Sequence, residues 1–428
     1  MNIKKYHINN LDIHHIYTNK FKTIISGIVF RTNLNREYLV EKMLLSFMLI
    51  KTTKKYPLEQ DFIGYLRKQY DMKLYTQISK RGKVLETSFF TTIINPKYLN
   101  NQDDLYNKSI EVLKEAIFNP YLIDNHFSKE LLEKEKRLLI DEIKASYNNN
   151  LKVAYNALIN SMFKDEFYKI YASITIEEVE KVTVESLTKA YNTLIQENAY
   201  VYTAGDILEE QIISAFSSFK DLKSFEENFE YLDYENKVIE KVEEVVLEKD
   251  NNQSVLMIGY RNNIRLYEKQ YSAMVILNGM LGGYYHSTLI KEVREKLSLA
   301  YSISSEYNPQ KGFSVITAGI NYENAGKVIE TIDNVINDYI NNKIPIDIFN
   351  MTKETLLNDL YISRDSLIGM VNFLQLTIRF PNRNFDIEER IKEIEKITIE
   401  DIRASATNLK KDTVLLLKGV KNGYEEVL

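Results

Sequence analysis

The chain has 428 residues, enough for two or three domains, and its 44% apolar and 27% charged residues are typical of a soluble globular protein. Its 60 acidic and 55 basic side chains give a net charge of −5, so no basic nucleic-acid-binding surface is expected, and the lack of cysteine excludes disulfides, thiolate catalysis and cysteine-bound metals. The first residues lack the apolar core of a signal peptide. The longest apolar run, 43–50, is far shorter than the ~20 residues of a membrane-spanning helix. We therefore expect a cytoplasmic protein without membrane contact.

The first half of the chain alternates strand patterns with amphipathic helices. Leu39, Met43 and Phe47 recur every four residues, which indicates one face of a helix. The sequence KRGK at 80–83 is typical of a hairpin turn between two strands. In chain order we predict strands at 3–7, 12–17 and 23–30, helices at 38–50 and 62–70, two strands within 74–94, helices at 105–118, 128–147, 152–163 and 184–195, and a strand at 199–204.

A charged stretch without periodicity then interrupts the pattern. We interpret residues 222–243 as an interdomain linker, because the alternation of strands and helices restarts after it. In the second half we predict strands at 254–260, 300–305, 313–320 and 414–418, and helices at 267–280, 286–297, 325–339 and 348–363.

The second half of the chain repeats the first. Arg67 and Tyr75 align with Arg294 and Tyr301, at offsets of 227 (294 − 67) and 226 (301 − 75). A period this long indicates two homologous domains, because the units of a solenoid have ~20–50 residues. We therefore predict an α+β fold of two tandem domains, each an antiparallel sheet with helices packed on one face. The predicted domains cover residues 1–221 and 244–428.

The most specific local pattern of the second half is LGGYYHSTLIKEVREKLSLAYSI. We interpret Gly282 and Gly283 as a helix C-cap, because a lone glycine pair lacks the other residues of a phosphate-binding loop. Leu289, Val293 and Leu297 follow at four-residue spacing, which predicts one buried face of a second helix.

A strand is predicted directly after this helix. Leu299, Tyr301 and Ile303 alternate with smaller residues, which is the pattern of a half-buried strand with Tyr301 on its more apolar face. Such a helix-to-strand corner can bring Arg294 and Tyr301 to one side of a cleft. We therefore predict that this corner is one half of a divided active site.

These features resemble a known family. The tandem halves, the block LGGYYHSTLIKEVREKLSLAYS and the helix EKEKRLLIDEI are similar to the insulinase-like (M16) peptidases, which include pitrilysin and the processing peptidases. The resemblance covers nearly the whole chain, and it implies the LuxS/MPP-like metallohydrolase fold with two domains arranged as a clamshell. The segments TNKFKTIISGIVFRTNL and EKMLLSFMLIKTTKKYP look most like one bacterial branch of inactive members, which is linked to the 5-aminopentanol modification of elongation factor P.

The resemblance also implies where a zinc site would lie. Active members carry His-x-x-Glu-His on the first long helix; its two histidines and a distant glutamate bind zinc, and its glutamate is the general base. Met43, Ser46 and Phe47 occupy those positions here, and none of them can bind zinc or act as a base. Glu142 corresponds to the distant ligand and Glu135 to its supporting acid, although both also suit a solvated face of a Lys/Glu-rich helix.

The five histidines do not replace the missing motif. His14 and His15 are neighbours on a predicted strand and point to opposite faces, while His7, His126 and His286 are isolated. We therefore expect no metal or other cofactor in this chain, and zinc only in a partner subunit.

Arg294 and Tyr301 match the remaining catalytic positions of the family. The resemblance implies that the tyrosine hydroxyl donates to the oxyanion of the tetrahedral intermediate and that the arginine holds a substrate carbonyl; removing one such donor costs ~3 kcal/mol. A packing role for Tyr301 is the alternative. Arg67 and Tyr75 form a similar pair in the first half, where the family has no catalytic role for it.

The leading hypothesis is a non-catalytic subunit of a heteromeric M16-type zinc peptidase. This chain would supply Arg294 and Tyr301 in trans to a homologous subunit with an intact His-x-x-Glu-His motif, which processes a peptide or protein. In isolation the chain is compatible with a homodimer. Two alternatives stay open: a peptide- or protein-binding scaffold without a proteolytic role, and a metallopeptidase that is active alone.

Overall fold

The chain forms two compact units. The computed structural model describes residues 3–99, 104–163, 174–220, 222–225, 227–232, 238–251 and 253–420. Unit 1 comprises Met1–Ile143, Ser173–Tyr231 and Ile362–Ile387, and unit 2 comprises Lys144–Ala172, Leu232–Tyr361 and Glu388–Leu428. Each unit therefore includes one segment from the other half of the chain. The predicted domains, 1–221 and 244–428, are continuous and do not include this exchange.

Short polar and glycine turns divide the chain into many strands and helices. Threonine side chains begin several helices: Thr183 accepts a hydrogen bond from the backbone N–H of Ser186, as an N-cap residue does. The α-helices are α1 Leu39–Met48, α2 Glu59–Lys68, α3 Leu105–Phe118, α4 Lys129–Asn148, α5 Asn150–Met162, α6 Ile176–Glu180, α7 Val184–Leu194, α8 Glu209–Phe216, α9 Tyr271–Asn278, α10 Ala325–Ile340, α11 Ile346–Arg364, α12 Leu367–Arg379, α13 Ile387–Lys396 and α14 Ile399–Ala406.

Unit 1 contains a six-stranded sheet. Its strands are β1 Ile3–Ile8, β2 Leu11–Tyr17, β3 Thr23–Asn33, β4 Lys73–Arg81, β5 Val84–Ile94 and β8 Asn198–Gly205, and a separate small hairpin is formed by β6 Leu122–Ile123 and β7 His126–Phe127. The order is β1-β2-β8-β3-β5-β4, and every neighbouring pair is antiparallel except β2 and β8. The centre of β3 is almost continuously apolar because it is buried on both faces of the sheet.

Unit 2 repeats this topology with one strand fewer. Its strands are β9 Glu243–Asp250, β10 Ser254–Arg261, β11 Ala300–Asn308, β12 Phe313–Ile320 and β13 Lys410–Val420. The order is β11-β12-β10-β13-β9, which matches β4-β5-β3-β8-β2 of unit 1, and the single parallel pair, β13 with β9, is at the equivalent place. The repeat inferred from the sequence is thus present in the strand order, and β1 has no counterpart among the described strands of unit 2.

The α+β class is confirmed, but the prediction that helices cover one face of each sheet is incomplete. The second face of the unit 1 sheet is covered by α12, and that of the unit 2 sheet by α5. Both helices are in the segments that come from the other half of the chain. Leu374 of α12 and Leu158 of α5 are completely buried against their sheets. The sequence pattern did not indicate this exchange because an amphipathic helix does not specify which sheet it covers.

Buried arginines fix both of these helices. In unit 1, Arg379 of α12 donates three hydrogen bonds, of 2.9, 3.1 and 2.6 Å, to the two carboxylate oxygens of Glu86 on β5. In unit 2, Arg261 of β10 donates a 2.6 Å hydrogen bond to Asp412 and a further one to the carbonyl of Met162, the last residue of α5. Because both ion pairs are almost fully buried, removing one partner would leave an uncompensated charge.

Most predicted elements are present, but the small hairpin β6–β7 and the helices α6 and α8 were not predicted. The strand Glu243–Asp250 was missed, because its four acidic residues resembled the charged linker. Of the predicted linker, residues 226 and 233–237 lie outside the described part, and the rest contains no helix. The predicted helices at 267–280 and 286–297 are α-helical only in part, as detailed below. Within the described residues, no helix is long and apolar enough to cross a membrane.

Candidate functional site

The predicted corner in unit 2 is built from π-helical turns. Helix α9 continues directly into a π-helix at Gly279–Gly283, and a second π-helix covers Ile290–Lys296. A π-helix bonds residue i to residue i+5, and such turns are frequent at functional sites. The wider turn also explains why one expectation was wrong: Leu289 and Val293 are fully buried, but Leu297 is 42% exposed, because four-residue spacing does not stay on one face of a π-helix.

Gly282 allows this corner to close. A Cβ atom at Gly282 would lie 2.6 Å from the backbone nitrogen of Ser305 on β11, which no side chain permits. The glycine is thus required for close packing of the π-helix against the strand, and the interpretation as a helix C-cap was wrong, because the helical turns include both Gly282 and Gly283. Neither glycine has the left-handed backbone of a typical C-cap.

Ser298 ends the second π-helix and directs the chain into β11. Its φ of 51° is in the left-handed region, which is uncommon outside glycine and asparagine. The backbone N–H of Leu299 then donates a 2.9 Å hydrogen bond to the carbonyl of Val293. The reversal is therefore tight, and only residues 297–299 separate the last residue of the π-helix from the first residue of the strand.

A β-bulge determines the direction of Tyr301. Ala300 pairs with Ile320 and Ser302 with Gly319, so Tyr301 is the additional residue in β11. The expected alternation is interrupted there: Ala300 is buried, but Tyr301 is 56% exposed. The expectation that Tyr301 lies on the apolar face was wrong. Its hydroxyl donates a 2.6 Å hydrogen bond to the amide oxygen of Asn321.

Arg294 lies on the exposed side of the second π-helix. Its guanidinium forms no hydrogen bond or ion pair with the residues that the structure describes. Its neighbours Glu292 and Lys296 pair with each other at 2.6 Å instead. Because the π-helix packs against β11, Arg294 and Tyr301 are two exposed side chains on one corner of unit 2, both able to donate hydrogen bonds to a ligand.

The repeat in unit 1 lacks this arrangement. Tyr75 lies on β4, whose pairing with β5 runs without a bulge, and its ring contacts Phe90 at 5.3 Å between centroids. Arg67 lies on α2, which is an ordinary α-helix. The two halves therefore share the residue types but not the backbone that orients them.

The positions of the zinc motif in unit 1 contain no metal ligand. Ser46 is fully buried and its hydroxyl donates a 2.8 Å hydrogen bond to the backbone carbonyl of Met43. Met43 packs against the core, and Phe47 is 39% exposed. No group of three metal-binding side chains exists in the described part of the chain. The residues present at this site do not fit a zinc ion.

The two acidic residues of α4 have different environments. Glu135 is only 4% exposed and accepts a 2.6 Å hydrogen bond from the ammonium of Lys51, whereas Glu142 is exposed. The solvated-face alternative therefore suits Glu142 but is wrong for Glu135. Lys51 was not among the predicted site residues, although it begins the basic run that follows α1.

The chain is similar to several known proteins. Residues 181–356 match the family described as Peptidase M16 inactive domain. The chain is 30% identical over 414 residues to a protein named probable inactive metalloprotease YmfF from Bacillus subtilis (strain 168), and the match covers 96% of both chains. It is 21% identical over 273 residues, 62% of each chain, to an uncharacterized zinc protease, YmfH, of the same organism.

Solved structures share the fold. A conserved protein from Enterococcus faecalis V583 superposes with a TM-score of 0.93 at 25% identity, covering 99% of this chain and 100% of that one. A peptidase M16 inactive domain from Pseudomonas fluorescens has a TM-score of 0.77 at 15% identity, with 98% and 99% covered. The second similarity shows the fold alone.

Proposed function

This chain belongs to the peptidase M16 family, and we propose that it is the non-catalytic subunit of a heteromeric zinc peptidase. The observation that carries the proposal is a contrast between the two units. Tyr301 is exposed on a bulge of β11 and Arg294 is exposed on the π-helix that packs against this strand, whereas Ser46, at the position of the general base, is buried and bonded to its own helix. The two hydrogen-bond donors, Tyr301 and Arg294, are thus exposed to solvent, while the described residues of the chain form no metal site.

The partner would be a homologous subunit with an intact His-x-x-Glu-His motif. That subunit would hold the zinc and activate the water, while this chain would bind the substrate. The Tyr301 hydroxyl has one proton, which it donates to Asn321, so it must rotate from that acceptor to stabilise an oxyanion. Among the described residues, Arg294 has no such bond to break. Relatives of both kinds in Bacillus subtilis (strain 168), one named inactive metalloprotease and one named zinc protease, support this pairing.

Reconstitution tests the proposal. The chain is mixed with a homologue from the same organism that contains the zinc motif, and cleavage of peptides is compared with that by each protein alone. Tyr301→Phe and Arg294→Ala are each expected to lower cleavage by about 10²–10³-fold, as loss of one oxyanion donor does. Tyr75→Phe and Arg67→Ala are the matched controls from the repeat and should have no effect. Cleavage that is insensitive to Arg294 and Tyr301 would refute the proposal.

A peptide- or protein-binding scaffold is the second candidate, and the replacement of the zinc motif on α1 by Met43, Ser46 and Phe47 favours it. It predicts capture of peptides without hydrolysis even when the partner is present. Zinc analysis of the purified chain separates both candidates from a peptidase active alone, since a tightly bound stoichiometric zinc is expected only in that third case. A cytoplasmic location and the link to elongation factor P stay predictions.

A further inference from the structure

The two sheets differ at one edge. In unit 1 the outer side of β2 is paired along its length with β1, from Ile3 opposite Ile16 to Ile8 opposite Leu11. In unit 2 the equivalent strand, β9, pairs with β13 on one side only, and no described strand covers its other side. An uncovered edge strand presents free backbone donors and acceptors, to which another chain can add as a strand.

The strand β1 shows what such an addition buries. Tyr6 and Ile8 of β1 lie on the helix-facing side of the sheet and pack against the core of unit 1, where Ile13 of β2 is fully buried. Val246 of β9 also lies on the helix-facing side, because it pairs with Leu416 in the register of the sheet. Val246 is 63% exposed. The position that β1 covers in one unit is thus open in the other.

A cavity lies beside Val246. It has a volume of about 310 Å³ and is formed between β9 and the start of α10. Its apolar lining includes Val242, Val246, Leu256, Ile329, Val414 and Leu416. A cavity of this size accommodates one large apolar side chain.

The charges around Val246 select the occupant. Glu244 and Glu248 flank Val246 on the same face of β9, and both are exposed. Lys418 forms an exposed ion pair with Glu248 at 3.5 Å, and Lys411 is paired with Asp333. Among the described residues, Glu244 has no ion-pair partner, so the carboxylates of this face outnumber the cations next to them. Pairing with the β9 edge of a second copy would place like charges opposite each other, which is destabilising. In unit 1, the strand that covers the equivalent edge is basic: Lys4 and Lys5 of β1 form ion pairs with Glu209 and Asp12.

The edge is also held in place for pairing. Lys249, on β9, donates hydrogen bonds of 2.6 and 2.8 Å to the carbonyl of Tyr147 and the side chain of Asn150. Val245 and Leu247, on the opposite face of β9 from Val246, pack against the cluster around α5. An incoming strand therefore meets an ordered template and does not have to order the edge first.

We propose that β9 binds an extended segment of another protein, which adds as an antiparallel strand with a basic–apolar–apolar–apolar–basic pattern. The basic residues lie opposite Glu248 and Glu244, the central residue enters the cavity beside Val246, and the two others lie opposite Leu247 and Val245. This site is in unit 2 but is separate from Arg294 and Tyr301, which are on the other edge of the sheet. It does not depend on the proposed role in proteolysis.

Peptide binding tests the proposal. The probe is fluorescein-labelled Gly-Lys-Val-Tyr-Val-Lys-Gly, and its anisotropy is measured with the full chain. Val246→Asp should weaken binding by about tenfold or more, because it places a charge against the central apolar side chain; the side chain is exposed, so folding should be unaffected. Replacing the central tyrosine of the peptide by proline should abolish binding, since proline disrupts strand pairing.

A charge exchange supplies the decisive control. Glu244→Lys/Glu248→Lys should lose affinity for the lysine peptide by about tenfold and gain affinity for the same peptide with glutamates in place of lysines. Glu354→Lys/Asp338→Lys changes the net charge equally on α11 and α10 and should leave both affinities unchanged. The proposal is overturned if the lysine peptide does not bind, or if the two double variants change its affinity by the same amount. So would an association of two copies that Val246→Asp abolishes.

Discussion

The hydroxyl of Tyr301 donates a 2.6 Å hydrogen bond to the amide oxygen of Asn321, which begins the segment after β12. Tyr301 is the bulge residue of β11, so its backbone is set by the sheet and its side chain is oriented by this one bond. Asn321 is therefore a positioning residue for the candidate half-site. Nothing in the sequence singled it out.

Asn321→Ala tests this relationship. It should lower the kcat/KM of the reconstituted peptidase by roughly tenfold, because without this bond the ring is no longer held where its hydroxyl can turn from Asn321 to the oxyanion, and by less than Tyr301→Phe, which removes the donor. Neither variant should change the free energy of unfolding by more than about 1 kcal/mol, since the bond is exposed to solvent. Urea unfolding and peptide cleavage measure the two effects separately. If the loss of folding stability accounts for the whole loss of kcat/KM, the role of Asn321 is purely structural.

Lys51→Met tests the buried ion pair between Lys51 and Glu135. Glu135 would remain buried without its cation, so the free energy of unfolding should fall by about 3 kcal/mol. Lys51→Met/Glu135→Leu should recover most of that loss, because the second substitution removes the isolated charge. Lys54→Met, at an exposed neighbouring lysine, is the control and should be neutral. Urea unfolding at pH 7 distinguishes these outcomes, and a Lys51→Met variant as stable as the native chain would contradict the role of the pair.

Arg379→Met tests the attachment of α12 to the unit 1 sheet. Glu86 is 1% exposed and also accepts a 3.1 Å hydrogen bond from the Tyr231 hydroxyl. We expect a loss of about 3–5 kcal/mol in the free energy of unfolding, because one hydroxyl cannot compensate a buried carboxylate. Arg379→Met/Glu86→Gln should be more stable than Arg379→Met alone. Hydrogen exchange should show the loss first in α12, and protection unchanged there would be inconsistent with this account.

His14 and His15 should make the chain sensitive to acid. Burial lowers the pKa of each imidazole from 6.5 to about 4. Between pH 6.5 and pH 4, the unfolded chain therefore binds protons at these histidines that the folded chain does not bind. The free energy of unfolding consequently decreases as pH falls from 6.5 to 4. The decrease amounts to up to about 3 kcal/mol for each histidine, and none is expected above pH 6.5.

A non-titrating variant checks the assignment. In His15→Leu the loss of stability between pH 6.5 and pH 4, measured by urea unfolding, should be about half that of the native chain. His7→Gln, at an exposed position of β1, is the control. The assignment fails if the pH dependence of His15→Leu matches that of the native chain.

Periodicity and the internal repeat were sufficient to predict the α+β class and most of the strands. These signals are local: alternation indicates a strand, and four-residue spacing indicates a helix. The resemblance to the family indicated Met43, Ser46 and Phe47 as the positions of the zinc motif, and side-chain chemistry alone excludes zinc binding by these three residues. That Arg294 and Tyr301 act together as one half-site stays a prediction.

The direction of Tyr301 was decided only by tertiary structure. One extra residue in β11 moves it from the predicted buried face to the exposed face, and that bulge is a property of pairing with β12, a partner that strand alternation does not describe. The same holds for Lys51 with Glu135, which are 84 residues apart in sequence, and for α5 and α12, which cover sheets belonging largely to the other half of the chain. The sequence by itself determined most of the strands and helices, because their patterns are local. Contacts between distant segments decided where Tyr301 points and, among the described strands, which edge of the second sheet is left unpaired.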